Sequence, residues 1–482
     1  MSGRSTRRSE ASGLVAWRRA IAAAVAAGCL AAPAPASAHG LVQRSNLPIP
    51  EWLFGWAAAI VLVVSFLALA VLWPRPRMED RPPWRQLPFG LGRFLGSRPV
   101  RALCGAVGVL LLVVVILAGY IGPGTALDNF APTFILITFW VGLAFGSVLF
   151  GDLFRAFSPW RGLGLAMGAR GGLRPYPERL GRWPAALGLL CFTWIELASG
   201  WGDRPATLVT AALGYTVLTL AAQIVWGVET WSRCGETFAV YYNFLSRISP
   251  WETRDGVVGL RPPLSGLPRL DAGIGTVGFV AVMIGSVTFD GLTQGRLWKD
   301  ALVSLTDAVT ALGVPIESAP KVLDTFGLVG CVLLVGGFYR AGIAGARSVG
   351  GDVGAARLRR GFVHSLVPIA AVYVAAHYLT FLLFEGQAVG YLASDPFGQG
   401  WDLFGTASSA IDYSLIGQNG TWYAQVGFVV AGHVAALILA HDRALALYAG
   451  DSRLAVRSQY WMLAVMVGFT SLALWLLAQA GT

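Results

Sequence analysis

The chain has 482 residues, 55% of them hydrophobic and 13% charged, with a mean hydropathy of +0.61. A soluble domain carries about 25% charged residues so that water can wet its surface, and about half that fraction excludes an ordinary soluble protein. The net charge of +10 does not mark a nucleic-acid partner, because the arginines are spread over short loops between apolar runs instead of forming one patch.

At the amino terminus, Arg4, Arg7, Arg8, Arg18 and Arg19 precede an apolar stretch from Ala20 to Leu30, followed by the small-residue triplet Ala36-Ser37-Ala38. That order predicts a cleaved signal peptide over residues 1–38. Cleavage would make His39 the mature amino terminus, outside the cytoplasm. Its amine and ring nitrogen could then hold copper together, unless a histidine simply happens to follow the cleavage site.

Residues 39–482 are predicted to form a single all-α transmembrane bundle of about ten spans, near 52–73, 101–121, 132–151, 183–200, 206–228, 272–291, 324–346, 362–385, 421–441 and 459–479. Each run suits a hydrocarbon core of about 30 Å, although the fourth is short and carries Glu196. The loops alternate in charge. Arginines crowd 74–100, 152–182, 229–271, 339–361 and 442–458, whereas 386–420 has no Lys or Arg. This alternation places the mature amino terminus and the carboxyl terminus outside a bacterial cytoplasmic membrane. Of the two long outer segments, 292–320 has Leu302, Leu305, Val309 and Leu312 at helical spacing and predicts a surface helix, while 386–420 reads as an ordered cap. Sixty glycines suit closely approaching helices. The unpaired cysteine spacing predicts neither disulfides nor a thiolate zinc site.

Ionisable groups within a bilayer are costly and need a reason. On the eighth span Tyr373, His377, Thr380 and Phe384 share a face, and on the ninth Gln425, Val429 and His433 do. Helical rise puts His377 about 12 Å and His433 about 16 Å below the outer boundary, so the two can meet across a helix pair. Met283, Ser286 and Asp290 align on the sixth span, and Thr216, Thr219 and Gln223 on the fifth. These faces predict a polar interior opening outward. Two uses fit it: His377 and His433 as ligands of zinc or another divalent ion, with Asp290, Asp128 or Glu196 as the catalytic carboxylate, or histidines that only bond neighbouring helices. Asp128-Asn129 is equally readable as a helix cap. Glu229 and Glu236, near Arg233, read as solvated ion pairs. Ser158-Pro159-Trp160-Arg161 and Ser249-Pro250-Trp251 read as similar structural turns.

Several stretches resemble a family of bacterial polytopic membrane proteins labelled fenitrothion hydrolases: Ala38-His39-Gly40-Leu41, Leu47-Pro48-Ile49-Pro50-Glu51-Trp52-Leu53-Phe54, Asp128-Asn129-Phe130-Ala131-Pro132-Thr133, Phe139-Trp140-Val141-Gly142-Leu143 and Ser286-Val287-Thr288-Phe289-Asp290-Gly291. The resemblance implies a membrane hydrolase of phosphotriesters working with a second membrane subunit. The residues themselves leave two other functions open: a transporter or permease component whose intramembrane histidines and carboxylates carry protons or cations, and a copper-handling protein acting through His39.

Overall fold

The computed structural model describes residues 51–351, 353–449 and 451–479. The signal segment and His39 lie outside the described residues. The protein is an all-α polytopic membrane protein, in which eight helices are long and apolar enough to cross a bilayer and a bent helix pair would make a ninth. The helices that position the site are α1 (Glu51–Leu72), α2 (Arg98–Ile121), α3 (Phe130–Phe150), α4 (Pro159–Ala166), α5 (Trp183–Leu197), α6 (Pro205–Trp226), α7 (Val228–Cys234) and α8 (Thr237–Ser246). They continue as α9 (Thr276–Gln294), α10 (Arg296–Ala311), α11 (Ala319–Ser348), α12 (Ala355–Phe362), α13 (Leu366–His377), α14 (Leu379–Leu383), α15 (Ala388–Ser394), α16 (Gln418–Leu447) and α17 (Tyr460–Gln479).

Each of the ten apolar runs is helical, but not all are alike. α5 has only 15 residues, about 22 Å at 1.5 Å per residue. The eighth run breaks at Tyr378, where the helical stretches on either side meet at 57°. α3 includes a π-helical stretch, Thr133–Gly142, of the wide-turn kind that redirects side chains and recurs at functional sites.

α9 lies at the centre, with its run Phe279–Gly291 buried throughout, and it packs on α5, α11, α13 and α17. Gly285 lets α11 approach, since a Cβ there would come within 2.6 Å of the Val332 Cα, the close contact that small residues permit between spanning helices.

The arginine-rich loops meet at one face. Trp73 Nε1 and the Arg77 amide both donate to the Asp442 carboxylate, at 2.9 and 2.6 Å, and Arg443 pairs with Glu79 at 2.9 Å. A small sheet in the order β1 (Arg85–Gln86), β3 (Val257–Leu260), β2 (Trp251–Arg254) joins two of these loops. At the other face Gly398 packs on Pro123 and Lys321 lies beside Gly200, while Gln387 bonds the Asp412 backbone. The surface helix expected in 292–320 is α10, which buries none of its residues. Segment 386–420 holds α15 followed by turns bonded to Asp395 and Asp402.

Candidate functional site

Asp290 is buried near the end of α9, and its Oδ2 is shared. His377 Nε2 lies 2.9 Å from it and the Tyr378 hydroxyl donates to it at 2.6 Å. The break between α13 and α14 makes this double contact possible, because consecutive residues of a straight helix point about 100° apart. The same break separates Thr380 and Phe384 from the face of Tyr373 and His377, so the continuous four-residue stripe expected on this span is not formed.

The other side of the His377 ring faces a cleft. A Cβ built on Gly291 would lie 3.8 Å from His377 Nδ1 and 3.9 Å from the Leu476 Cβ. Together with Val287, Tyr373, Val429 and Ala473 these residues enclose about 30 Å³. Among the described residues, Nδ1 has no hydrogen-bond partner.

Glu196, in the last turn of α5, is close enough to Asp290, Tyr241 and Tyr378 to act on them electrostatically. Its Oε2 is buried and unpartnered, as are Trp140 Nε1 and the Tyr241 hydroxyl. Trp140 stacks on Tyr241 with ring centroids 4.7 Å apart, and its Nε1 lies near the Tyr378 hydroxyl without a hydrogen bond in good geometry. One acceptor and two donors are thus left unsatisfied beside the Asp290 group, in a core where most buried polar atoms find partners.

The remaining candidates lie elsewhere. His433 is fully buried, bonds the Val429 carbonyl at 2.7 Å through Nδ1, leaves Nε2 unpartnered and sits with its ring 6.3 Å from that of Tyr373. No described contact joins it to His377, although α13 and α16 pack together and Gln425 donates to the Ala376 carbonyl. Asp128 is exposed and accepts from Thr125 at 2.6 Å. Its neighbour Asn129 does the capping, accepting from the Ala131 amide and donating to the Ala118 and Pro123 carbonyls. His364 and His441 bond within the arginine-rich end of the bundle. Among the described residues no three His, Cys, Asp or Glu side chains are grouped to hold a metal ion.

Several expectations are corrected. Glu236 is buried, not solvated: it accepts from the Phe238 and Ala239 amides, capping α8, and from the Tyr215 hydroxyl. Glu229 forms the solvent-exposed ion pairs expected of it, with Arg155 and Arg161 at 2.8 and 2.6 Å. Thr216 and Gln223 also miss the Asp290 cluster. Thr216 accepts from Trp160 Nε1 on α4, and Gln223 packs against Gly164. The two Ser-Pro-Trp turns differ as well, since Ser158 caps a helix whereas Ser249 bonds the Leu149 carbonyl ahead of β2.

Sequence reasoning missed α8. It lies within 229–271, which reads as an arginine-rich loop, yet it carries buried Phe238, Tyr241, Tyr242, Phe244 and Leu245. The signal was the apolar run Thr237–Leu245 behind an acidic residue able to cap it. The fold and this cluster define a multi-pass membrane protein with a buried acid–base group at its centre. No family model matches the chain, and neither a curated protein nor a solved structure matches it.

Proposed function

We propose that the chain is a ten-span transport or permease component of a bacterial cytoplasmic membrane, coupled to proton movement through Glu196, Asp290 and His377. Ten spans follow if α5 and the bent α13–α14 pair each cross. The arginine-rich loops gathered at one face support a cytoplasmic assignment for that face. The observation that carries the reading is Asp290 holding His377 through one ring nitrogen while the other faces the cleft. Its size favours protons over a bulky substrate: about 30 Å³ holds a water, which needs roughly 10–15 Å³, but falls well short of the roughly 300–1,000 Å³ of a drug-sized ligand site.

With Nε2–H donating to Asp290, Nδ1 presents a lone pair to the cleft and takes a proton there, leaving an imidazolium beside the carboxylate. Glu196 adds a second carboxylate beside Asp290 in the same buried group. Trp140 and Tyr241 extend the polar group onto α8, whose amino-terminal end is capped by Glu236, which also accepts from Tyr215 of α6. Among the described residues, no third His, Cys, Asp or Glu side chain is grouped with His377 and Asp290 to hold a divalent ion.

A second reading, the phosphotriester hydrolase implied by the family resemblance, is favoured by the same free nitrogen. His377 would take the proton of a water attacking phosphorus as the aryloxide leaves, and the cleft would have to widen around the triester. Reconstituted vesicles test the first reading: a potassium diffusion potential should drive proton uptake, read by an internal pH dye, and Asp290→Asn should slow it about tenfold. Wild-type uptake no faster than in protein-free vesicles would overturn it. Fenitrothion turnover lost in His377→Gln would favour the hydrolase instead.

A further inference from the structure

α11 has 30 residues, about 45 Å of helix against a hydrocarbon core of about 30 Å. It therefore projects beyond the apolar layer, and Arg340 is the first charged residue after Asp324. Phe326, Leu333, Arg340 and Arg347 follow one another at seven-residue steps and share a face. Phe326 and Leu333 are 70% and 68% exposed. Gly330 and Gly337 lie on the same strip, one on either side of Leu333, and a Cβ at either would meet nothing within 4 Å. The strip is a shallow apolar trough, open to the bilayer, that runs up to two arginines.

At its head lies a cavity of about 370 Å³ between α11 and α12, lined by Arg340, Ile343, Arg347, Ser348 and Arg359. The Tyr339 hydroxyl fixes α12 to α11 by donating to the Arg359 carbonyl at 2.6 Å. Among the described residues, no acidic side chain lines the cavity and none of its arginines forms an ion pair.

We infer that this cavity binds the phosphate headgroup of an anionic phospholipid whose acyl chain lies along Phe326, Gly330, Leu333 and Gly337. Three converging guanidiniums suit a phosphate, which accepts their paired hydrogen bonds. The continuous apolar trough distinguishes a lipid from a free anion, and basic pockets between spanning helices are a known form of headgroup site.

Native mass spectrometry of the detergent-purified protein with phosphatidylglycerol, phosphatidylcholine or inorganic phosphate tests this. Phosphatidylglycerol should be retained over phosphatidylcholine. Its affinity should fall about fivefold for each arginine lost, roughly a hundredfold in R340Q/R347Q/R359Q. R357Q/R360Q removes two charges of the same helix outside the cavity and should leave retention unchanged. If the triple variant does not fold, the exposed Arg347→Gln alone should show the fivefold loss. Equal retention of the two lipids, wild-type affinity in the cavity variants, or displacement of phosphatidylglycerol by equimolar inorganic phosphate would overturn the assignment.

Discussion

Asp290 accepts from two consecutive residues, and only the helix break at Tyr378 allows both to reach it. Asp290 was legible in the sequence as one of three carboxylates that could join His377, whereas the matched depth and helical face that pointed to a His377–His433 contact do not produce one. The partnership of Tyr378 was not, since it depends on a change of chain direction that no proline or glycine marks. Glu196 was legible as a costly intramembrane carboxylate, whereas its neighbours Trp140 and Tyr241 look like ordinary aromatic residues until the π-helical stretch and α8 bring them together. Gly291 gives the sharpest test at this scale. A methyl group there would sit in ordinary contact, 3.8 Å from His377 Nδ1, narrowing the cleft without a clash. Gly291→Ala is therefore expected to keep the wild-type melting temperature while slowing vesicle proton uptake severalfold. Unchanged uptake would remove the cleft from the path.

At the scale of elements, hydrophobic runs identified every long helix, because length and apolarity determine a span directly. They could not identify α8, which is too short to span and gains its place by packing against α3, α5 and α13. The hairpin of β2 and β3 carried a local signal, Asp255-Gly256, with φ of 48° and 79°. Both residues of such a two-residue turn need positive φ, which favours Asp-Gly. Inside this hairpin Glu252 collects Arg254 at 2.7 Å and Arg261 and Arg269 at 3.2 Å. Burial pushes its carboxyl up, but the Arg254 hydrogen bonds and the charges of Arg261, Arg254 and Arg269 outweigh that and hold it below the usual range. A depressed carboxyl stabilises the fold above its unfolded value, near 4.3, and loses that contribution as pH falls through its folded value. Glu252→Gln should therefore cost about 1–2 kcal/mol at neutral pH, and the gap from wild type should shrink below about pH 4. Thermal unfolding of both proteins across that range measures it, and a gap independent of pH would contradict the assignment.

For the whole molecule, charge and hydropathy gave the architecture, because the bilayer imposes one simple rule on every segment, whereas the centre of the bundle depends on side chains from α3, α5, α8, α9 and α13 that no local pattern connects. The proposed orientation puts the arginine-rich face in the cytoplasm. Single cysteines at Ser409 or Ser414 should then react with an impermeant thiol reagent on intact cells, and one at Arg85 should not; the opposite pattern would invert the proposed membrane sidedness. The central claim is that the Glu196–Asp290–His377 cluster holds an exchangeable proton within the bundle. Infrared difference spectroscopy of the purified protein during a pH jump tests it most directly. A protonated-carboxyl band that responds to pH and is lost in Glu196→Gln or Asp290→Asn, with helical content unchanged, is the predicted result. A wild-type spectrum without such a band, or one unaltered by both substitutions, would contradict the account.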